Sequence, residues 1–236
     1  FPQFGNPSTQ RGYAIPGCGH TAQMDWAVEK YGSNDSYSFI YSTLGGAETE
    51  YIFYEKYDIL LTGHSVHYQV MKMRNGRDED FVYGDAWHNT TGQPFIEKGC
   101  RISASADRYH TPVVSHDPEQ REMLALNCEF DSLKQAPTKD GGSADISVVP
   151  GMIGFTDFLT GRIPQDADLG WMSVVNPNQE SVYLTFFEGP ASVLDGEFTF
   201  YFNHLWLQYG GRNYTPWASY VGGVDRVFAV GVESAI

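Results

Sequence analysis

The sequence predicts an all-β fold, because apolar and polar residues alternate through much of the chain while no long helical pattern is present. In residues 51–76, β-branched and aromatic residues recur at every second position, and the turn pair Asn75-Gly76 ends the run. This pattern predicts a strand or a hairpin. Apolar residues keep the helical i, i+3, i+4 spacing for no more than about ten residues anywhere. The best helical candidate, residues 119–126, is short.

Four further segments show the same alternation, and turn signals separate them. We therefore expect many short strands in stacked antiparallel sheets. Neither a repeat nor a linker is visible, so a single domain over residues 1–236 is expected, with the polar residues 137–143 as its most exposed loop. The predicted strands are residues 170–177, 181–187, 198–202 and 226–233, and the predicted turns are 176–179, 195–196 and 222–223.

Composition and charge limit the class of partner. With 236 residues, 42% hydrophobic and 15% aromatic, the chain can bury a sizeable core. The formal net charge of -14 argues against a nucleic acid or an anionic membrane surface, because phosphate groups would be repelled over the whole protein. A neutral or cationic partner is easier to accommodate. No apolar run approaches the roughly 18 residues that span a bilayer.

These features predict a soluble protein, cytoplasmic or secreted. Three matches to the glycan acceptor pattern, at Asn34, Asn89 and Asn213, are too common by chance to decide between the two. The start at Phe1, without a methionine, suggests a processed or truncated chain. The oligomeric state is not predicted.

No metal or organic cofactor is expected. The cysteines Cys18, Cys100 and Cys128 lack the C-x-x-C spacing of metal knuckles and redox motifs. One disulfide with one free thiol, and three buried thiols, both agree with this set. His64 and His67 are three positions apart on a predicted strand, so their side chains point to opposite faces and cannot jointly hold one ion.

Several segments, in this order along the chain, resemble the active-site segments of the galactose mutarotase-like family, which includes aldose 1-epimerases and hexose-6-phosphate mutarotases. The resemblance runs over most of the chain. One departure is the early loop, which lacks the arginine that the family usually places before the Trp. The matching segments are Phe-Pro-x-Phe-Gly at 1–5, the Gly/His loop ending in Trp at 17–26, Trp-His to Pro-Phe at 87–95, the aromatic stretch 204–211 with Pro216-Trp217, and Gly-Val-Glu at 231–233.

The resemblance implies a galactose mutarotase-like β-sandwich, a supersandwich of stacked antiparallel sheets, whose first strands precede this chain. It also implies an isomerase that interconverts the anomers of a sugar by acid/base chemistry. Glu233 would be the base and His88 the acid, because a carboxylate and an imidazole need only modest pKa shifts to exchange protons with a sugar near neutral pH. His20 would polarise or hold a hydroxyl, with Cys18 in the place of the family's usual histidine.

The aromatic rings could form a floor for the apolar face of a sugar. We expect substrate contacts from Trp26, Trp87, Trp206 and Trp217, and from Asp168, which ranks first among Asp157, Asp166 and Asp168. His204 reads more simply as an edge histidine. Arg11, Arg74, Arg101 and Arg108 are candidate partners of a phosphate if the sugar carries one.

Two alternatives keep the fold and change the activity. The chain could be a lyase or hydrolase that cleaves longer carbohydrates, or a carbohydrate-binding protein without catalysis. Loss of anomer exchange on replacing His88 or Glu233 would support the isomerase. Product formation from a polymer would support the lyase or hydrolase. Sugar binding without turnover would support the binding protein.

Overall fold

A computed structural model describes residues 7–10, 12–80, 84–194, 198–214 and 227–236. The regular structure in these residues is nearly all strand, arranged in antiparallel sheets, which confirms the predicted all-β fold. The chain divides into two compact units, residues 1–85 and residues 86–236. The single domain expected for residues 1–236 stays a prediction. No helix in the described ranges has the length and apolar character that crossing a bilayer requires.

The first unit is built on a meander of four antiparallel strands in the order β3-β4-β5-β6. The predicted hairpin in residues 51–76 is confirmed as β5 and β6. A small core of Leu44, Ile52 and Tyr54 packs on one face of this sheet. The elements are β1 (Ser8–Gln10), β2 (Tyr13–Ile15), α1 (His20–Gln23), β3 (Ala27–Ser33), β4 (Tyr37–Leu44), a 3-10 turn (Ala47–Thr49), β5 (Ile52–Leu61) and β6 (His67–Asn75).

The second unit contains the larger sheet. Its strands in chain order are β7 (Ala86–Trp87), β8 (Thr90–Gly92), β9 (Arg101–Ala104), β10 (Arg108–His110), β11 (Glu129–Phe130), β12 (Ala136–Pro137), β13 (Ser143–Ala144), β14 (Thr156–Arg162), β15 (Leu169–Asn176), β16 (Ser181–Glu188), β17 (Phe202–Tyr209) and β18 (Phe228–Ala235), with a 3-10 turn at Leu133–Gln135.

Within the described residues, the large sheet has the strand order β11-β10-β14-β17-β18-β7, and β8 also pairs with β18. A second sheet has the order β16-β15-β9. Side chains from both sheets meet in one buried cluster, where Leu205 and Val232 of the first sheet join Met172 and Val174 of the second. This is the packing of a β-sandwich. The polar residues 137–143 connect β12 to β13, which pair as a short hairpin, and the tip of this loop is exposed.

The helical candidate 119–126 is wrong, because side chains take the backbone N–H groups that a helix would need. Asp117 accepts from the N–H groups of Glu119 and Arg121, and Asp157 accepts from those of Met123 and Leu124. The segment is therefore an ordered loop.

The strand predicted at 198–202 is also displaced, because β17 begins only at Phe202. Residues 198–201 are held by isolated contacts instead, such as the Thr199 hydroxyl donating to the Glu188 carbonyl. The last predicted strand is confirmed over its described part and continues to Ala235. Residue 226 and the turns predicted at 195–196 and 222–223 lie outside the described residues.

The three cysteines carry free thiols in this structure. Cys100 is fully buried in the core of the second unit, while Cys18 and Cys128 are half-buried. Of the two arrangements that the sequence allows, the structure has the one without a disulfide.

Candidate functional site

One face of the large sheet carries polar and aromatic side chains, while the other packs into the core. Paired residues of antiparallel strands point to the same side. Glu233 of β18 lies opposite His204 of β17, and Thr160 of β14 lies opposite His204 on its other side. The intervening residues Leu205 and Val232 are buried in the core. A row of titratable and hydroxyl groups therefore crosses three neighbouring strands on one face.

His88 and Glu233 meet on this face. Trp87 pairs with Ser234, so that His88 follows directly beside Glu233, and the His88 Nδ1 contacts the Glu233 Oε1. The Glu233 side chain is 0% exposed, whereas the His88 side chain is 40% exposed. Apart from this contact, neither Glu233 carboxylate oxygen has a hydrogen-bond partner among the described residues. A buried carboxylate with one unsatisfied oxygen is costly, which is a feature typical of functional sites.

The environment shifts the pKa values of both groups upward. Burial raises the pKa of Glu233, and the neighbouring His88 only partly offsets this. The pKa of His88 is raised chiefly by its contact with the Glu233 carboxylate, against an opposing effect of burial. The imidazole therefore keeps its proton to higher pH, and the carboxyl also ionises at higher pH, than either group would in water.

Gly231 makes room for the Glu233 carboxylate. A Cβ at Gly231 would lie 2.6 Å from the Glu233 Oε1 and 3.0 Å from the Trp206 Cβ. Trp206 is the register partner of Gly231 on β17, and its ring lies edge-on to the His88 ring with centroids 6.4 Å apart. The absent side chain thus lets the indole, the carboxylate and the imidazole sit together.

His204 is held as a neutral imidazole beside this group. Burial lowers its pKa to about 4, and its Nδ1 lies 2.8 Å from the Thr160 Oγ1. Its ring lies near those of Phe158 and Phe202, with centroids 5.2 and 6.4 Å away. His204 is therefore a rigid hydrogen-bonding group on the same face as Glu233, which the expectation of an edge histidine did not anticipate.

A second polar group lies along the same face. The Arg212 Nη2 donates to the Thr156 Oγ1 at 2.6 Å, and the Arg212 guanidinium lies 5.8 Å from the Trp206 ring centroid. The Thr156 hydroxyl also lies 3.5 Å from the His116 Nε2. On its other side, the His116 Nδ1 lies 3.6 Å from the Glu122 carboxylate. Sequence reasoning missed this group, because its members are far apart in the chain and belong to no motif.

Of the other predicted substrate contacts, two lie in the first unit. His20 is the buried first residue of α1, and burial lowers its pKa. The Trp26 Nε1 donates to the Thr21 carbonyl at 3.0 Å, and its ring packs 6.4 Å from that of Tyr54. These contacts give Trp26 a structural role, and its role with a sugar stays a prediction.

The remaining three predicted substrate contacts belong to the second unit. Trp87 is the register partner of Ser234, which places it on the opposite face from Glu233. Asp168 is exposed just before β15, where it accepts from the Ser192 Oγ at 3.3 Å. Trp217 lies outside the described residues. The structure thus brings together His88, Glu233 and Trp206 from the predicted set. In the described part of the chain, no three His, Cys, Asp or Glu side chains are grouped as metal ligands.

Asp157 is buried on the core face of the same sheet, in contrast to the exposed Asp168. Its Oδ1 accepts from the Leu124 N–H at 2.9 Å and its Oδ2 from the Met123 N–H at 3.3 Å. Burial nevertheless raises its pKa to about 6. Because a proton binds this group more tightly in the folded state, its contribution to stability is full below its ordinary pKa of 3.8 and is lost as the pH rises through about 6.

We expect Asp157→Asn to remove this pH dependence. From pH 4 to pH 7, the free energy of unfolding of the wild type should fall relative to that of the variant by about 2 kcal/mol, since each pKa unit corresponds to about 1.4 kcal/mol and part of the effect is already lost at pH 4. Urea unfolding at several pH values measures this difference. Asp168→Asn serves as the control at an exposed site. The prediction would be contradicted if the free energy of unfolding changed with pH in the same way in the wild type and in Asp157→Asn.

The comparisons with known proteins define the class of fold. No family model matches the sequence, and no curated protein matches it. The structure is similar to a crystal structure of "a putative aldose 1-epimerase" from Klebsiella pneumoniae subsp. pneumoniae MGH 78578, with a TM-score of 0.66 and 13% sequence identity. The match covers 99% of this chain but 52% of the Klebsiella chain, so this chain spans about half the length of that protein. The chain therefore has the galactose mutarotase-like fold that the sequence predicted.

Proposed function

We propose that this protein binds a sugar on the polar face of the large sheet and interconverts its anomers, with Glu233 as base and His88 as acid. The contact between a buried carboxylate and a partly exposed imidazole carries this proposal, since it joins a proton acceptor to a proton donor that solvent can reach. Both pKa values are raised, so that each group keeps a proton to higher pH than it would in water. The fold shared with the Klebsiella protein supports a sugar ligand.

The reaction needs only proton transfers and one reversible bond cleavage. Glu233 takes the proton of the C1 hydroxyl while His88 gives its proton to the ring oxygen, and the bond between C1 and the ring oxygen breaks. The open-chain aldehyde then rotates about the C1–C2 bond. The freed hydroxyl attacks the other face of C1, returning its proton to His88 as Glu233 reprotonates the former carbonyl oxygen. All atoms and charges are restored after each cycle.

The neighbouring side chains are suited to holding the sugar. The Trp206 ring offers an apolar surface beside the pair, and sugar rings pack their C–H faces on such planes. His204, kept neutral by burial, can hydrogen-bond a hydroxyl without competing for the transferred protons. Arg212 and His116 add polar groups farther along the face.

The direct test is an NMR measurement of anomer exchange over a panel of aldoses. We expect the wild type to exceed the uncatalysed rate for at least one sugar and His88→Gln to lose about 10²- to 10⁴-fold of that enhancement. His64→Gln, at an exposed turn of the first unit, is the matched control and should exchange normally. A wild type that never exceeds the uncatalysed rate would exclude the mutarotase proposal. Product formation from a polymer would instead favour a lyase or hydrolase.

The dependence of exchange on pH follows from the two shifts. Activity requires an ionised Glu233 and a protonated His88, so we expect a bell-shaped profile. Because the pKa of Glu233 is raised, the acid limb should lie above its ordinary 4.5, and because that of His88 is raised, the alkaline limb should lie above 6.5. The two apparent values belong to the coupled pair. Initial exchange rates between pH 4 and pH 9 measure the limbs, and an alkaline limb at or below 6.5 would contradict the assignment.

A further inference from the structure

One face of the β3-β4-β5-β6 meander carries a row of aromatic side chains. Tyr41 is the register partner of Tyr57, and their rings are stacked with centroids 4.6 Å apart and planes 23° apart. Phe39 and Tyr68 flank Ile59 one step farther along the same face. Tyr68 is 47% exposed. We call this surface the meander face. It presents apolar planes to solvent rather than to a core.

Two cations lie on this face, each supported by an aromatic ring. The Lys72 Nζ lies 5.6 Å from the centroid of the Tyr57 ring, and the Arg74 guanidinium carbon lies 4.1 Å from that of Phe53. The Phe53 ring packs closely on two glycines, since a Cβ at Gly45 or Gly76 would come within 2.6 or 2.7 Å of it. The Arg74 guanidinium thus lies over a closely packed ring, which leaves the N–H groups at the edge of its fork available.

The charge around these cations is opposite to that of the whole chain. Among the described residues, neither Lys72 nor Arg74 forms an ion pair or a side-chain hydrogen bond. Two acids lie on the same face: Glu55, the register partner of Lys72, whose Oε2 accepts from the Tyr57 hydroxyl at 3.5 Å, and Glu29, whose Oε1 accepts from the Thr43 Oγ1 at 2.8 Å. Lys30, the register partner of Tyr41, adds a third cation, so three cations and two carboxylates leave a local charge of +1 on this face, whereas the chain carries -14.

A cavity of about 440 Å³ opens between these groups, lined by Thr43, Phe53, Glu55, Lys72 and Arg74. Beyond it Tyr57 and Ile59 continue the apolar surface along β5. From Phe53 to Ile59 is six residues of strand, about 20 Å at roughly 3.3 Å per residue. The surface is therefore long enough for a chain of sugars rather than for a single ring.

We propose that the meander face binds an oligosaccharide that carries carboxylates, that is, a chain of uronic acid sugars. Arg74 binds a carboxylate through its planar fork, a geometry that matches two parallel N–H···O bonds. Lys72 contributes a second positive charge, and the stacked Tyr41 and Tyr57 rings contact the apolar face of a neighbouring sugar. The acidic residues elsewhere in the chain matter little, because charges beyond about 8 Å are largely screened at physiological salt. This site is separate from the reaction proposed at His88 and Glu233 and does not depend on it.

Calorimetric titration with tetragalacturonate tests this site, with maltotetraose as a neutral chain of equal length. We expect wild type to bind the uronate chain at least tenfold more tightly than the neutral chain. The double variant Lys72→Met/Arg74→Met should bind the uronate chain at least tenfold more weakly than wild type. The matched control Lys98→Met/Arg101→Met removes the same charge from exposed positions of the second unit and should bind like wild type. Arg74→Lys keeps the charge, removes the fork and should give an intermediate affinity.

Several results would overturn the proposal. These are equal affinity for the neutral chain, an equal loss in the control variant, tighter binding of a sulfated chain, or binding of anionic lipid vesicles in place of the sugar. Self-association that the double variant abolishes, measured by sedimentation, would make the meander face an interface between copies of this chain. Thermal unfolding confirms that each variant is folded. Anomer exchange measured on the same variants keeps the two proposals distinct, since the double variant should exchange free sugars like wild type.

Discussion

Glu233→Gln is expected to lower the catalysed rate of anomer exchange by about 10²- to 10⁴-fold, the range for a positioned proton-transfer group. The amide has nearly the shape of the carboxylate, so that it fits the space over Gly231, but it cannot take a proton from the C1 hydroxyl. The NMR exchange rate with the best aldose of the panel measures the loss. Glu188→Gln, an exposed residue at the end of β16, is the matched control and should leave the rate unchanged.

The stability of this variant distinguishes a functional from a structural carboxylate. Glu233 is fully buried, and burial raises its pKa, so the ionised form costs folding free energy at neutral pH. We therefore expect Glu233→Gln to unfold at the same temperature as wild type or a higher one at pH 7. The cost of stranding His88 is small, because that imidazole is partly exposed and can release its proton. A variant that loses activity together with much of its stability would favour a structural role.

Much of the strand pattern could be predicted because its cause is local. Alternation with a period of two follows directly from which face of a strand is buried, and it correctly located the hairpin of β5 and β6 and most of β15, β16 and β18. The sequence pattern gave a wrong result at residues 119–126, where side-chain carboxylates accept the hydrogen bonds of the backbone N–H groups. Asp157 lies more than thirty positions from the N–H groups that it binds, and no local window contains that information.

The candidate site shows the same division between local and distant information. His88 and Glu233 could be predicted through short segments that resemble those of a known family, and the structure brings the two into contact. His204 and Thr160 could not be predicted, because their proximity depends on the register between β14 and β17. The alternation shows that a residue faces outward, but it does not show which residue of the next strand lies beside it.

Gly231 connects the fold to the proposed chemistry, since it occupies a position where a larger residue would favour the strand. Glycine in a strand interior weakens the strand and marks a close approach, and here the close approach is that of the Glu233 carboxylate and Trp206. The sheet thus gives up some local stability at the point where it holds an unsatisfied carboxylate oxygen. Such departures from local preference are expected where a site needs a geometry that packing alone would not choose.

Gly231→Ala is accordingly expected to lower anomer exchange by about 10²-fold, the loss that a displacement of about 1 Å can cause. The added methyl group would lie 2.6 Å from the Glu233 Oε1, so we expect the carboxylate to shift and its contact with His88 to weaken. The matched control is Gly92→Ala on the adjoining strand β8, where the nearest atom to a new Cβ is 3.9 Å away. Exchange rates and pH profiles of the two variants distinguish displacement of the Glu233 carboxylate from the general effect of adding a methyl group to a strand. Because moving the carboxylate removes the main cause of the raised pKa of His88, the alkaline limb of Gly231→Ala should shift to lower pH, while that of Gly92→Ala should not. An unchanged alkaline limb in Gly231→Ala would show that contact with Glu233 does not hold the proton on His88.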